Sequence, residues 1–483
     1  MRWLDAVAPV RMTRITLVAP EDALRDVLVR VAESGTVEID LPDCRQPPPG
    51  ELATRLQHAG QAPSAPVLSA ERPDLDRLEQ AGRYDLLAGE VQLEEYATAA
   101  AKRPGVAALA GWIPAKRLPA VAASVAEVGG AVVPRRRPPG IEAPTLLRDA
   151  GLRGSLNPLV QTYGTVPYAD VDPTWAAWVA YVLMFGMMFG DAGQGVLLVA
   201  AALTLRAGWP RWARRYRRAW PFVGGAGVAA TGFGLLYGEC FGPTRLVPTV
   251  WLDPLSHPTT LLLVAAGIGV ILLALAYALG TINRWREGGW PAALYAPSGI
   301  AGISFFLGAG AAAAGWYMRR PLLTGAGAFV AIAGLALAVI GFLAEAGGGG
   351  AGTMQASVEA FDFVVRLGAN VVSFTRLAAF GLTHAALGML VWQGTRALWD
   401  RGGVLIVAGM ILFAAGTALA FSLEALVAAI QALRLEYYEL FSRVFVTQGR
   451  PFRPWHVPTA TGHETATWEN ERVPALAAGI GGG

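Results

Sequence analysis

Two arginines sit inside otherwise apolar stretches, and theirs is the chemistry that the rest of the chain has to explain. Arg376 lies in Asn370-Val-Val-Ser-Phe-Thr-Arg376-Leu-Ala-Ala-Phe-Gly-Leu-Thr-His384-Ala-Ala-Leu-Gly-Met389, an apolar helical run holding one arginine and one histidine. Arg434 ends a second long apolar run. A guanidinium cannot shed its proton, because its pKa exceeds about 12. Near the middle of a bilayer it costs at least roughly 2.5–3.5 kcal/mol. Trp392, the next interface-type residue, is about 24 Å of helix away, so Arg376 cannot easily snorkel out. Two readings follow. One is a cation satisfied by carbonyls or a carboxylate within a helix bundle; the other is a fixed positive charge on an ion path. The second arginine favours the ion path.

The polar residues around these cations are spaced to line such a path. Asp362 precedes Arg376 by fourteen residues, which puts it roughly 21 Å away along a helix and about 40° round it. His384 follows by eight, roughly 12 Å the other way and about 80° round. Glu424 precedes Arg434 by ten residues, with Gln431 between them and Glu436 and Glu439 after. Ser373 stands three residues before Arg376. If a second protein carries a carboxylate past this surface within the bilayer, a fixed guanidinium lowers that carboxylate's pKa and makes it release its proton. Polar residues on either side supply two aqueous half-channels, and the arginine between them repels protons and blocks a direct leak. Structural alternatives stay open: Asp362 and Glu424 as ion-pair partners (Arg366 for the former), His384 as a satisfied buried histidine, Asp191 and Glu239 as helix-end caps.

These residues need a membrane scaffold, and composition supplies one. The chain has 483 residues, 54% hydrophobic and 16% charged, against roughly 25% charged in soluble domains, and its mean hydropathy is +0.41. Apolar runs of about 20 residues recur after residue 170, so the expected fold class is a polytopic α-helical membrane domain behind an N-terminal α+β domain. The spans are placed at 174–189, 193–207, 219–238, 258–283, 293–316, 321–346, 360–395 and 403–441, eight in all. The last two are too long for perpendicular crossing and must tilt or project. Gly190-Asp-Ala-Gly-Gln-Gly195 splits the first pair as a tight hairpin. Arg206, Arg211, Arg214, Arg215, Arg217 and Arg218 place the following loop in the cytoplasm by the positive-inside rule, and with it both termini. Arg319 and Arg320 fall outside in this count. Gly347–Gly350 and the segment to Ser357 read as a loop. Cys44 and Cys240 suggest neither a disulfide framework nor a metal site.

Residues 1–140 read as the α+β domain: strand, helix and strand over 10–40, linker over 45–75, a charged helix over 75–103, and a second strand–helix–strand over 106–134. Residues 50–104 thus form a short arm between two β-α-β pieces. Residues 141–172 lead into the membrane domain, 173–445, and 446–483 form a cytoplasmic tail. No nucleotide loop or catalytic cluster is present in the N-terminal part.

The motifs, taken in order, resemble a known family. They are Arg11-Met-Thr-Arg-Ile-Thr-Leu-Val-Ala-Pro, Gly111-Trp-Ile-Pro, Tyr163-Gly-Thr-Val-Pro-Tyr, Phe185-Gly-Met-Met-Phe-Gly-Asp-Ala-Gly-Gln-Gly, Tyr237-Gly-Glu, Ser373-Phe-Thr-Arg-Leu-Ala-Ala-Phe-Gly-Leu-Thr-His-Ala and Leu433-Arg-Leu-Glu-Tyr-Tyr-Glu-Leu-Phe-Ser-Arg. The set resembles the a/I subunit of V-type and archaeal-type rotary ATPases, the membrane stator that faces the proteolipid ring. The resemblance implies two proton half-channels, with Arg376 as the essential arginine and Arg434 as its companion. Asp362, His384, Glu424, Gln431, Ser373 and Glu436 would belong to the proton path. It implies as partners the proteolipid c-ring, E/G-type peripheral stalks, a central-stalk-associated membrane-sector subunit and the bilayer, with no nucleic acid, cofactor or metal. A multi-pass prokaryotic plasma (inner) membrane protein without a nucleotide site is the expectation. Gln194 and Gln431 stand where members often carry histidine (or, at 194, tyrosine), and the arm is short for the family. The rival reading is a stand-alone secondary ion transporter or channel. Its expected inverted repeat of broken helices is missing, since only the first pair is glycine-broken.

Overall fold

Alternation along Met12–Pro20 (β1) buries Ile15, Leu17 and Ala19 on one face, as a half-buried strand requires. The computed structural model describes residues 8–41, 51–58, 65–138, 140–148, 152–244, 246–347, 349–445 and 449–460. Within them the chain divides into two units: residues 10–146 with the segment from 450 on, and residues 147–449 with the first nine.

In the first unit, β1 is followed by α1 (Leu24–Ser34), whose Leu24, Val27, Leu28 and Val31 are buried at the spacing of one helix face. Gly35, at φ 54°, ends α1 by donating its N–H to the Ala32 carbonyl. Then come β2 (Glu38–Ile39), α2 (Glu51–His58), β3 (Leu68–Ser69), α3 (Leu75–Gln80), α4 (Tyr84–Ala99), β4 (Ala101–Arg103), β5 (Val106–Pro114), α5 (Leu118–Glu127) and β6 (Ala131–Arg135). The two strand–helix–strand pieces share one sheet, ordered β2-β5-β1-β6, with β1 antiparallel to β5 over its whole length. The 45–75 stretch, expected as linker, contains α2 and β3. The expected charged helix is two helices, because Gly82 adopts φ 66° between them. The tail does not stand apart: Trp455 and Val457 enter this unit's core, and β7 (Thr459–Ala460) pairs parallel with β3.

The second unit is helical. Its elements are α6 (Leu152–Tyr163), α7 (Thr174–Met188), α8 (Ala192–Ala207), a 3-10 run at Arg211–Ala219, and α9 (Trp220–Tyr237). After these come α10 (Pro258–Tyr295), α11 (Ile300–Tyr317), α12 (Pro321–Glu345), α13 (Gly349–Ser373), α14 (Thr375–Trp399) and α15 (Leu405–Leu435). A π-helical turn over Glu436–Phe441 and a last turn, α16 (Ser442–Val444), close it. Among the described residues six helices are long and apolar enough to cross a membrane, while α7 and α8 are shorter apolar helices.

Three differences from the sequence-based placement have local causes. The connector 141–172 contains α6, with Pro158 inside it. α10 runs through the expected 283–293 gap and kinks at Gly289 (φ 71°). The seventh span starts at Gly349, because only the Ala346–Gly347 turn interrupts the helices there among the described residues. Phe374 keeps helical φ and ψ, so α13 and α14 run on as 51 residues. At 1.5 Å per residue that is roughly 77 Å, far beyond a core of about 30 Å.

Glycines set the tight contacts. A Cβ on Gly186 would lie 2.5 Å from Ala229 Cβ, and one on Gly234 would lie 2.1 Å from Ala192 N. Only bare backbone lets α7, α8 and α9 meet so closely.

Candidate functional site

His384 on α14 is 5% exposed and is the centre of a polar cluster among apolar helices. Its Nδ1 hydrogen-bonds the Glu424 carboxylate on α15, while its Nε2 faces Glu239 at 3.9 Å and Asp191 at 4.0 Å. Phe189 packs against the ring with centroids 5.0 Å apart. Three carboxylates therefore converge on one imidazole, an arrangement able to hold or pass a proton.

The approach of four chain segments follows from small residues and caps. Asp191 caps α8, accepting the Gln194 N–H at 2.8 Å, and also takes the Phe241 and Gly242 N–H groups at 3.0 and 2.9 Å. Gly242 in turn touches the Gly388 backbone, with 3.0 Å from a Cβ position to the Gly388 carbonyl. That contact draws the loop bearing Glu239 onto α14. The cap reading of Asp191 is thus correct as structure, and the same cap places a carboxylate beside His384.

About two turns along α14 from His384 is Arg376, whose Nη1 is buried without a hydrogen-bond partner among the described residues. Glu439 lies within hydrogen-bonding reach of Ser373 and among three cations, Arg376, Arg434 and Arg443. Arg434 itself is exposed. Gln431 Oε1, Glu424 Oε1 and Glu439 Oε2 are buried and unpartnered as well. Open polar valences thus run along the α14–α15 seam.

Two predicted residues lie elsewhere. Asp362 pairs with Arg366 at 2.6 Å, both side chains at least half exposed, so the intrahelical pair that the sequence left open is present. Glu436 is fully buried, and among the described residues both its carboxylate oxygens are unpartnered. It borders an apolar cavity of about 310 Å³ between α7, α10 and the π-helical turn.

Residues 98–221 match the V-type ATPase 116kDa subunit family. The A-type ATP synthase subunit I of Aeropyrum pernix is 27% identical over 346 residues, covering 61% of this chain and 49% of that protein. The subunit I of Thermococcus kodakarensis is 26% identical over 368 residues, 72% of this chain and 54% of that one. A V-type ATP synthase subunit I of Treponema pallidum reaches 38% over 93 residues, 19% of this chain and 20% of that one.

The chain is thus similar, over part of its length, to the subunit I proteins of A-type and V-type ATP synthases. It spans about half the length of the curated relatives it matches. With six span-length apolar helices among the described residues and this similarity, it is a multi-pass membrane protein.

Reading the chain from sequence brought out Arg376, His384 and Glu424, which the fold sets along one helix pair. It undervalued Asp191 and Glu239, since a carboxylate among glycines signals a turn first. Glu439 was noted only as an acid following Arg434, and Arg443 had no spacing signal of its own. Glu439 lies in the π-helical turn and Arg443 just after it; the turn shifts the helical register after Leu435 and sets Glu439 beside Ser373.

Proposed function

We propose that this chain is the ion-translocating stator subunit of a V/A-type rotary ATPase, carrying protons, or Na⁺ in the other case, between the aqueous phases and the carboxylates of a proteolipid ring. The observation that carries the reading is the buried, unpartnered Nη1 of Arg376 beside a helix, α15, whose apolar span is only 6% buried within the chain. A guanidinium left open next to a bare apolar face suits an acid delivered by a second membrane body.

In this reading Asp191, Glu239, His384 and Glu424 line one half-channel, opening on the side opposite the arginine-rich loop. Ser373, Glu439 and Gln431 lead to the other, with the Asp362–Arg366 pair toward its mouth and Glu436 at its flank. Arg376, with Arg434, separates the two. A ring carboxylate arriving protonated gives up its proton near Arg376, because the ionised form is then paired with a cation. The proton leaves through one half-channel, and the vacant carboxylate is reloaded from the other before it turns into lipid. The N-terminal unit binds the peripheral stalks and a central-stalk-associated subunit, and both termini lie in the cytoplasm.

The test is Arg376→Ala in the assembled, reconstituted enzyme. Proton pumping is expected to vanish while ATP hydrolysis by the soluble sector persists; normal pumping rejects the proposal. The stand-alone transporter predicts instead that the purified chain alone conducts protons in liposomes. The stator reading predicts no such flux, and co-purification with a small proteolipid bearing one mid-membrane acid.

A further inference from the structure

Between α8 and α9 the chain places six arginines in residues 206–218, all exposed, and among the described residues none has a carboxylate within ion-pairing distance. Arg206, Arg214, Arg215, Arg217 and Arg218 line an open cavity of about 740 Å³. Arg206 is held over the Trp220 ring at 4.9 Å, so this cradle has a fixed wall. Leu152 and Trp220, which border the cradle, also border a second groove of about 350 Å³. That groove is apolar throughout, walled by Leu156, Trp178, Val182, Val199, Gly224 and Val228. Trp209 and Trp212, 70% and 72% exposed, flank the arginines, as aromatic residues do at headgroup depth.

We propose that this paired site binds an acidic glycerophospholipid, with its phosphate in the arginine cradle and an acyl chain along the α6–α9 groove. Two features together select that occupant. A soluble anion has no use for the adjoining apolar trough, and a neutral lipid has no use for five unpaired guanidinium groups. Basic pockets between membrane helices are suited to acidic headgroups, whose attraction grows with each arginine near the surface. Trp220 joins the two halves, its face taking Arg206 and its edge closing the trough.

The experiment uses the full chain in detergent, with binding read by native mass spectrometry and by tryptophan fluorescence. The probes are phosphatidylglycerol, phosphatidylcholine and inorganic phosphate. Phosphatidylglycerol should bind at least about tenfold more tightly than phosphatidylcholine. The triple variant R214Q/R217Q/R218Q should remove that preference while leaving the lipid-free unfolding temperature unchanged. Val228→Trp, which fills the trough, should weaken phosphatidylglycerol binding with the arginines intact. Equal binding of the two lipids overturns the proposal. So does inorganic phosphate competing at matched concentration, which would make the cradle an anion site alone. Displacement of bound lipid by an acidic partner segment in the assembled enzyme would also overturn it, marking the cradle as a protein contact. Because the readout is lipid binding, failure here leaves the transport proposal untouched.

Discussion

Two helix pairs in the same unit, α11–α12 and α14–α15, are each joined by a short turn, yet they use their seams in opposite ways. Between α11 and α12 the backbones touch. A Cβ on Gly308, Gly327 or Gly334 would lie 2.4 Å from a backbone nitrogen of the other helix. Between α14 and α15 the glycines' nearest neighbours are side chains, Gly409 against Trp399 and Gly416 against Val391, with backbone no closer than the Thr395 carbonyl, 3.2 Å from a Cβ on Gly409. The seam holds polar groups, several with open valences. α15's span is 6% buried against 28% for α12. Association in lipid depends on close van der Waals packing and interhelical hydrogen bonds. The first pair is therefore complete by itself, and the second keeps groups that its own packing does not satisfy.

The largest effect that could break this contrast is at Arg376. If the α14–α15 seam were merely a looser version of α11–α12, Arg376→Ala would relieve a buried unpaired cation and leave transport intact. The expectation is the reverse: coupled proton transport by the assembled enzyme falls below detection, with folding retained. Proton-pumping assays beside a thermal melt of the same preparation distinguish the two. Arg376→Lys should not restore the rate, because an ammonium lacks the planar fork that can grip a carboxylate with two donors.

The second test is structural. Gly327→Leu must push its new side chain into the α11 backbone, whereas Gly416→Leu meets only the flexible methyls of Val391. The α12 variant should cost roughly 1–3 kcal/mol or fail to fold, as overpacking does, and the α15 variant clearly less. Equal losses in unfolding temperature would mean that the seams do not differ in kind.

The third is the cluster around His384. Glu424→Gln keeps a hydrogen bond to the imidazole but removes one of three facing carboxylates. We expect the pumping rate to drop several-fold, with its pH profile displaced, and His384→Ala to drop it further. An unchanged profile for both variants removes the cluster from the ion path.

How much of this was legible beforehand depends on what each residue reports locally. The helices of the membrane unit were readable because twenty-residue apolar runs have no soluble alternative, and Arg376 was conspicuous because a permanent cation in such a run has a cost. The α1 core face could be read from the 3.6 period. By contrast, the merger of two strand–helix–strand pieces into one sheet depends on β1 pairing with β5 some ninety residues later, and nothing near either strand encodes it. The tail's return through Trp455 is hidden for the same reason. Asp191 was misleading in a different way: its cap role was visible and its neighbour His384 was not, since the Gly242–Gly388 contact that joins them links residues 146 positions apart.

The smallest expected effect on pumping comes from a buried acid away from the α14–α15 seam, and it separates open valences that serve transport from those that only strain the fold. Asp170, in the loop before α7, is fully buried, and among the described residues no N–H or hydroxyl donor reaches either oxygen. Burial, reinforced by the Glu287 carboxylate beside it, pushes its pKa up to about 8, against the pull of Arg284 and Arg286. A carboxyl raised in the folded state favours folding below its unfolded value, and that contribution is lost as pH rises toward about 8. Asp170→Asn removes the titration. The variant should match the wild type near pH 4 and gain on it up to about pH 8, by no more than about 1.4 kcal/mol per pH unit. Above that the difference should level off, and pumping at neutral pH should be unaltered. Melting curves at pH 5, 7 and 9 measure the difference. If instead Asp170→Asn stops pumping as Arg376→Ala does, the open valences are not confined to one helix pair and the contrast drawn between the two seams fails.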